Sequence, residues 1–290
     1  MLATAWSRDF GLRVPIVNAP MGGVAGGRLA AAVTAAGGLG MIGMGSTATR
    51  AALAREMRFV SGRFGIGLVD WVMRDQPGLL DDAVAAGPAL LSVSFGTDWS
   101  WVGPAHAAGI ATATQVYDVT GARRATDAGV DILVARGAEG GGHGEMRLGT
   151  LPLLDAVLDQ VSVPVLAGGA IASPRSLAAV LAAGAAGAWV GTRLAACPEA
   201  LTADSGRAAL IGAAGTDTRV TRDFDIAAGL PWPERFPARV LADSVAANDS
   251  RTAPVDAGQG VGMIREAAPA GKVIEEMCAA AESLLAGWCP

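Results

Sequence analysis

A chain of 290 residues with 51% hydrophobic and only 17% charged side chains has ample apolar material for a core and too little charge to stay disordered. Its net charge of −5, with scattered basic residues of which a single one is lysine, excludes a surface built to neutralise nucleic-acid phosphates. Two histidines and three cysteines (Cys197, Cys278 and Cys289), without metal-ligand spacing or a secretory leader, argue against a transition-metal site and for a reduced, cytoplasmic setting.

Val14 to Met21 reads as the first apolar strand. Leu29 to Thr49 follows with no charge over about the length needed to span a bilayer. Its glycines at 37, 38, 40, 43 and 45 would each weaken a helix by roughly 1 kcal/mol, so the run reads as a buried helix followed by a buried strand. The same unit, an alanine-rich helix closed by glycine and then an apolar run, recurs along the chain. Its strands fall within Val33 to Gly43, Phe64 to Val69, Val84 to Gly96, His106 to Val116, Ala125 to Gly137, Pro164 to Ala170 and Val180 to Thr192. The glycine suits a helix C′ position, and runs apolar on both faces suit parallel strands covered by helices. With the first strand this makes about eight, the count of an α/β (β/α)₈ TIM barrel.

A doubly wound sheet is the structural rival, and Gly38-Leu39-Gly40-Met41-Ile42-Gly43 matches its glycine fingerprint. Here, however, the glycines precede and lie within a strand, whereas phosphate binding needs them after one, opening a helix. The barrel is assigned to residues 1–198. Residues 199–290 break the repeat, with Leu230-Pro231-Trp232-Pro233 and an amphipathic helix from Lys272 to Leu285, and read as a C-terminal helical and loop extension packed on the barrel as one structural unit.

Active sites of such barrels form at the C-terminal ends of the strands. Those ends are rich in glycine, which lets backbone approach a large flat ligand and turns N–H groups toward an anion. The last two carry Gly168-Gly169-Ala170 and Gly191-Thr192, where barrels often bind phosphate, as a phosphorylated cofactor such as FMN requires; tight barrel closure is the alternative. His143 follows the sixth strand inside Glu139-Gly140-Gly141-Gly142-His143-Gly144, a run without side chains to pack it into a core. Its ordinary pKa of about 6.5 suits proton transfer, and flexible glycines could place it over a substrate; capping a carbonyl is the bland alternative. Glu139 could orient a loop, bind a ribityl hydroxyl or face solvent, and His106 reads as a surface or helix-packing residue. Nothing near Cys197 would activate its thiol, so core packing is expected.

Three segments together carry a family resemblance over the whole chain: Pro15 to Gly23, Gly137 to Gly144 and Pro164 to Thr192. The chain resembles the nitronate monooxygenases, formerly 2-nitropropane dioxygenases, which are FMN-dependent barrels. The resemblance implies that Met21 and Gly22 lie along the flavin, that Gly141 and Gly142 approach it, and that Gly169, Ala170, Gly191 and Thr192 hold its phosphate. Gln115 is expected to face the flavin, and His143 to be the catalytic histidine. The implied reaction converts an alkyl nitronate and O₂ to a carbonyl compound and nitrite; His143 positions the nitro group, or removes the α-proton of a neutral nitroalkane. Arg136 stands where the family commonly carries a flavin-contacting glutamine, and could reach flavin O2 or substrate. Gly67-Leu68 replaces a common asparagine, and Gly168-Gly169-Ala170 the more usual Ala-Gly-Gly. Relatives of the same shape leave open an NAD(P)H-dependent enoyl-acyl-carrier or quinone reductase, and a non-catalytic flavin-binding scaffold is a third reading. A homodimer is also open.

Overall fold

Glycine ends the helices of the repeat as the sequence suggests: Gly37 and Gly184, from its first and last units, have φ of +97° and +98°, the left-handed conformation that stops a helix and turns the chain into the next strand. The computed structural model describes residues 2–243 and 254–287. Eight strands form one parallel sheet: β1 (Ile16–Asn18), β2 (Met41–Met44), β3 (Gly65–Val69), β4 (Leu90–Ser94), β5 (Ala111–Val116), β6 (Ile132–Arg136), β8 (Val165–Gly168) and β9 (Gly187–Val190), in the order β1-β9-β8-β6-β5-β4-β3-β2. The (β/α)₈ reading therefore stands.

The seam between the end strands β1 and β2 is closed by a side chain as much as by backbone. Val17 bridges to Leu39. The fully buried Asn18 then takes over: its amide nitrogen donates to the Met41 carbonyl at 2.9 Å and its oxygen accepts from the Met41 N–H at 2.6 Å. One asparagine side chain thus does the work of a missing rung of the ladder.

Alternation along the strands sorts the barrel into two cores. Val17, Met41, Leu90, Ala113, Ile132, Val134, Leu166 and Trp189 point inward, and Trp6 and Leu12 from the N-terminal segment join them. Their neighbours, such as Ile42, Leu91, Leu133 and Ala167, face the surrounding helices. The final helix, Ala270–Ala286, buries Val273, Ile274, Met277, Cys278 and Ala281 along one stripe. That stripe packs on the helices Pro174–Ala182 and Gly27–Ala35, across the outside of the β9–β1 side of the barrel. No helix among the described residues is long and apolar enough to cross a membrane.

Beyond the helices and loops expected of it, the extension contributes strands. β10 (Thr218–Thr221) and β11 (Ala238–Leu241) form an antiparallel pair, and β11 also pairs with β7 (Gly142–His143) from the loop after β6. These strands carry no strong apolar alternation; β10 has a half-exposed to exposed pattern and forms only because β11 supplies a partner. The segment after residue 199 is thereby tied directly to the histidine loop.

Candidate active site

The inward alternation that fills the barrel also fixes what its top layer presents. Gln115 shares the inward face of Ala113, and Arg136 that of Ile132 and Val134. Both open into one cavity at the C-terminal ends of the strands, with Ala19, Val69 and Gly168 beside them. All the residues expected to form the site line this cavity: His143 with Met21, Gly22, Gln115 and Arg136, and the glycine and small-residue positions Gly141, Gly142, Gly169, Ala170, Gly191 and Thr192.

Gly67 does not reach it. A Cβ there would lie 2.2 Å from the Pro20 ring, so Gly67 is the gap into which Pro20 packs, and Val69, two residues on, is the cavity residue of β3. The departure at Gly67 is thus one of internal packing.

The histidine loop is pinned rather than flexible. Its backbone pairs with β11, Ala238 opposite His143 and Arg239 opposite Gly142, and the Gly144 N–H donates to the Pro237 carbonyl at 3.2 Å. Arg136, only 5% exposed, turns its guanidinium back onto the loop. Its Nη2 donates to the carbonyls of Gly140, Gly141 and Gly142 at 2.9, 3.0 and 3.0 Å. This arginine, expected to serve flavin or substrate, lines the cavity and also clamps the loop through Nη2. Burial holds its pKa below the ordinary guanidinium value, with Tyr117 raising it and Arg239 lowering it. Gly141 is required by close approach: a Cβ would lie 2.5 Å from the Gly258 backbone nitrogen, where the 256–260 segment packs over the loop.

His143 itself is held on an edge and a face. Its Nε2 lies 2.9 Å from Oδ2 of Asp225, a carboxylate 6% exposed on the short helix Asp223–Ala227. Its ring stacks on Trp232, with centroids 3.6 Å apart and planes 6° from parallel. Trp232 is fixed in turn: its Nε1 donates to Ser46 Oγ at 3.0 Å, and Phe95 and Trp71 meet it edge-on. The aromatic group ends in Phe236, which touches Phe95 and Tyr117. Phe95 has φ of +73°, a strained backbone for a residue with a side chain, set at the cavity wall.

On the other side of the cavity, Gly169 and Ala170 have φ of +121° and +53° in succession. Among the described residues, the N–H groups of Gly169, Ala170 and Ile171, all three lining the cavity, donate to no protein acceptor. The Thr192 hydroxyl accepts from the Gly258 N–H at 3.0 Å. Glu139 resolves to loop orientation: its Oε2 accepts from the N–H and hydroxyl of Thr150, at 2.8 and 2.9 Å, at the start of the next helix. Asp256 also lines the cavity. Loss of bulk water there pushes its pKa above the ordinary carboxylate value, with His143 pulling it down, Asp225 pushing it up and Arg136 pulling it down.

Away from the cavity, Cys197 is buried, and burial pushes its thiol up to about 12, as core packing requires. His106 is a surface residue paired with Asp131 at 2.9 Å. The residues missed in the sequence are Asp225, Trp232, Asp256 and Ser46. Three of them lie in the extension, and only the Pro-Trp-Pro cluster around Trp232 gave a signal, as a break in the pattern.

The sequence pattern of the family described as nitronate monooxygenase matches residues 5–64 and 78–230. The 5-hydroxy-7a-methyl-1-oxo-octahydro-1H-indene-4-carboxyl-CoA dehydrogenase of Rhodococcus jostii is 32% identical over 79% of this chain, which spans 65% of that protein. A nitronate monooxygenase of Pseudomonas aeruginosa is 32% identical, covering 78% of this chain and 79% of its own. Among solved structures, FabK from Thermotoga maritima superposes with a TM-score of 0.83 at 25% identity, covering 99% of both chains. The nitroalkane oxidase of Streptomyces ansochromogenes superposes with a TM-score of 0.80 at 27% identity, covering 97% of this chain and 99% of that one.

Proposed function

The chain belongs to the nitronate monooxygenase family and is a flavin oxidoreductase, and we propose that its flavin is FMN and its reaction the oxidation of alkyl nitronates by O₂ to a carbonyl compound and nitrite. A phosphorylated flavin is supported by the N–H groups of Gly169, Ala170 and Ile171, cavity residues that donate to no protein acceptor among the described residues. Gly169, Ala170, Gly191 and Thr192 would hold the phosphate; Met21, Gly22, Gln115, Gly141 and Gly142 would line the rest of the cofactor. Bound there, FMN supplies the redox chemistry that no side chain of the cavity can carry.

The protein's own part falls to His143. The observation that carries the reading is a histidine at the wall of this cavity with one ring nitrogen bonded to Asp225 and the other bonded to no protein atom among the described residues. With a neutral nitroalkane, that nitrogen takes the α-proton while the C–H electron pair becomes the C=N bond of the nitronate. With a preformed nitronate, it orients the nitro group. Phe95, Val69 and Trp232 give the cavity an apolar wall that excludes water from the reacting atoms. Replacing His143 by Asn is expected to leave bound flavin absorbance intact and to lower turnover of a nitroalkane by about 10²- to 10⁴-fold, the usual worth of a general base. Unchanged turnover would remove His143 from the chemistry.

A second reading, a nicotinamide-dependent reductase using the same cavity, is favoured by the Rhodococcus relative, which is a dehydrogenase and not a monooxygenase.

A further inference from the structure

The residues that hold His143 restrict more than its position. An ionised carboxylate has no proton to give, so the 2.9 Å bond between Asp225 Oδ2 and His143 Nε2 requires the hydrogen to sit on Nε2. The pair is well shielded, with side-chain exposures of 16% and 9%, so water competes little for it. Swinging the ring out of this position is opposed on three sides. Trp232 stacks flat against the imidazole, Ser46 holds Trp232, and the His143 backbone is fixed by its pairing with Ala238. Two other charged groups line the cavity. Arg136 spends its Nη2 on the loop carbonyls, and Asp256 lines the cavity without a bond to the ring.

We propose that Asp225 is a positioning residue that fixes His143 as the Nε2-protonated tautomer, leaving Nδ1 as the nitrogen that exchanges a proton with the substrate. The proposal rests on the reading of His143 as the base. In the step it describes, the substrate α-carbon loses its proton to Nδ1, and the carbon–hydrogen electron pair moves into the C=N bond. The resulting imidazolium keeps its Nε2–H on Asp225, whose negative charge then faces a positive one. Asp225 thus contributes to proton removal and adds little for a substrate that arrives already deprotonated.

The chain has only two histidines, so nitrogen-15 histidine labelling of the holoenzyme and a long-range proton–nitrogen correlation spectrum resolve both rings, with His106→Gln identifying the signal of His143. With its ring neutral, His143 is expected to show a proton-bearing Nε2 and a bare Nδ1. In Asp225→Ala its two nitrogens should move toward averaged positions. The same variant should lose turnover of a neutral nitroalkane on the order of 10²-fold while turnover of its preformed nitronate changes about threefold or less. A wild-type ring protonated at Nδ1 overturns the proposal even if the variant does not fold, and so do equal losses on the two substrates. The tautomer is read without turnover. A wild type that oxidises neither substrate but carries the Nε2–H form refutes the nitronate reading and leaves the positioning role supported.

Discussion

Ala170 is an alanine held at φ +53°, next to a glycine at +121°, in a turn that lines the cavity. A Cβ in the left-handed region costs on the order of 1 kcal/mol, which glycine avoids. Ala170→Gly is therefore expected to raise unfolding stability by roughly 1 kcal/mol, read from the denaturation midpoint; a loss of stability would mean that the methyl makes compensating contacts. Asp256 gives a pH-dependent test. Burial raises its pKa, so its contribution to stability is full below the ordinary carboxylate value of about 3.9 and is lost as pH rises through the folded-state value. Asp256→Asn, neutral throughout, should melt higher than wild type at neutral pH, the difference vanishing in acid. A difference that grows in acid would contradict this assignment. At this scale His143 was legible because a titratable side chain in a run of glycines has no packing role to explain it. Asp225 was not, since it meets the ring from 82 residues away and nothing in its own neighbourhood distinguishes it from other surface-helix acids.

The elements divide in the same way. The barrel strands were readable because burial on both faces leaves continuous apolar runs, and helix-ending glycines punctuate them. β7, β10 and β11 were not, because they carry no continuous apolar run and exist only through their partners. Their pairing changes the character of the histidine loop from a flexible glycine run to a fixed ledge, and Arg136 completes it. Arg136→Gln, which brings in the residue expected from the family resemblance, shortens the side chain and strips three carbonyls, two of them buried, of their common donor. The expected cost is about 1–3 kcal/mol in the guanidinium chloride midpoint. A variant of undiminished stability would show that the clamp is dispensable.

Taken whole, the molecule is a barrel that supplies a cradle and an extension that supplies the walls. The strand ends bring glycine backbone and His143 to one opening. The chain beyond residue 199 brings Asp225, Trp232 and Asp256 to the same place from outside the repeat. The cradle followed from a periodic pattern, and the walls did not, because their geometry depends on how a non-repeating segment packs. The central claim is tested most directly by mixing the purified flavoprotein anaerobically with propionate-3-nitronate and, separately, with NADH and NADPH while following the flavin absorbance. The nitronate should bleach the flavin rapidly and the nicotinamides hardly at all; rapid bleaching by a nicotinamide with none by the nitronate would contradict the assignment and establish a reductase.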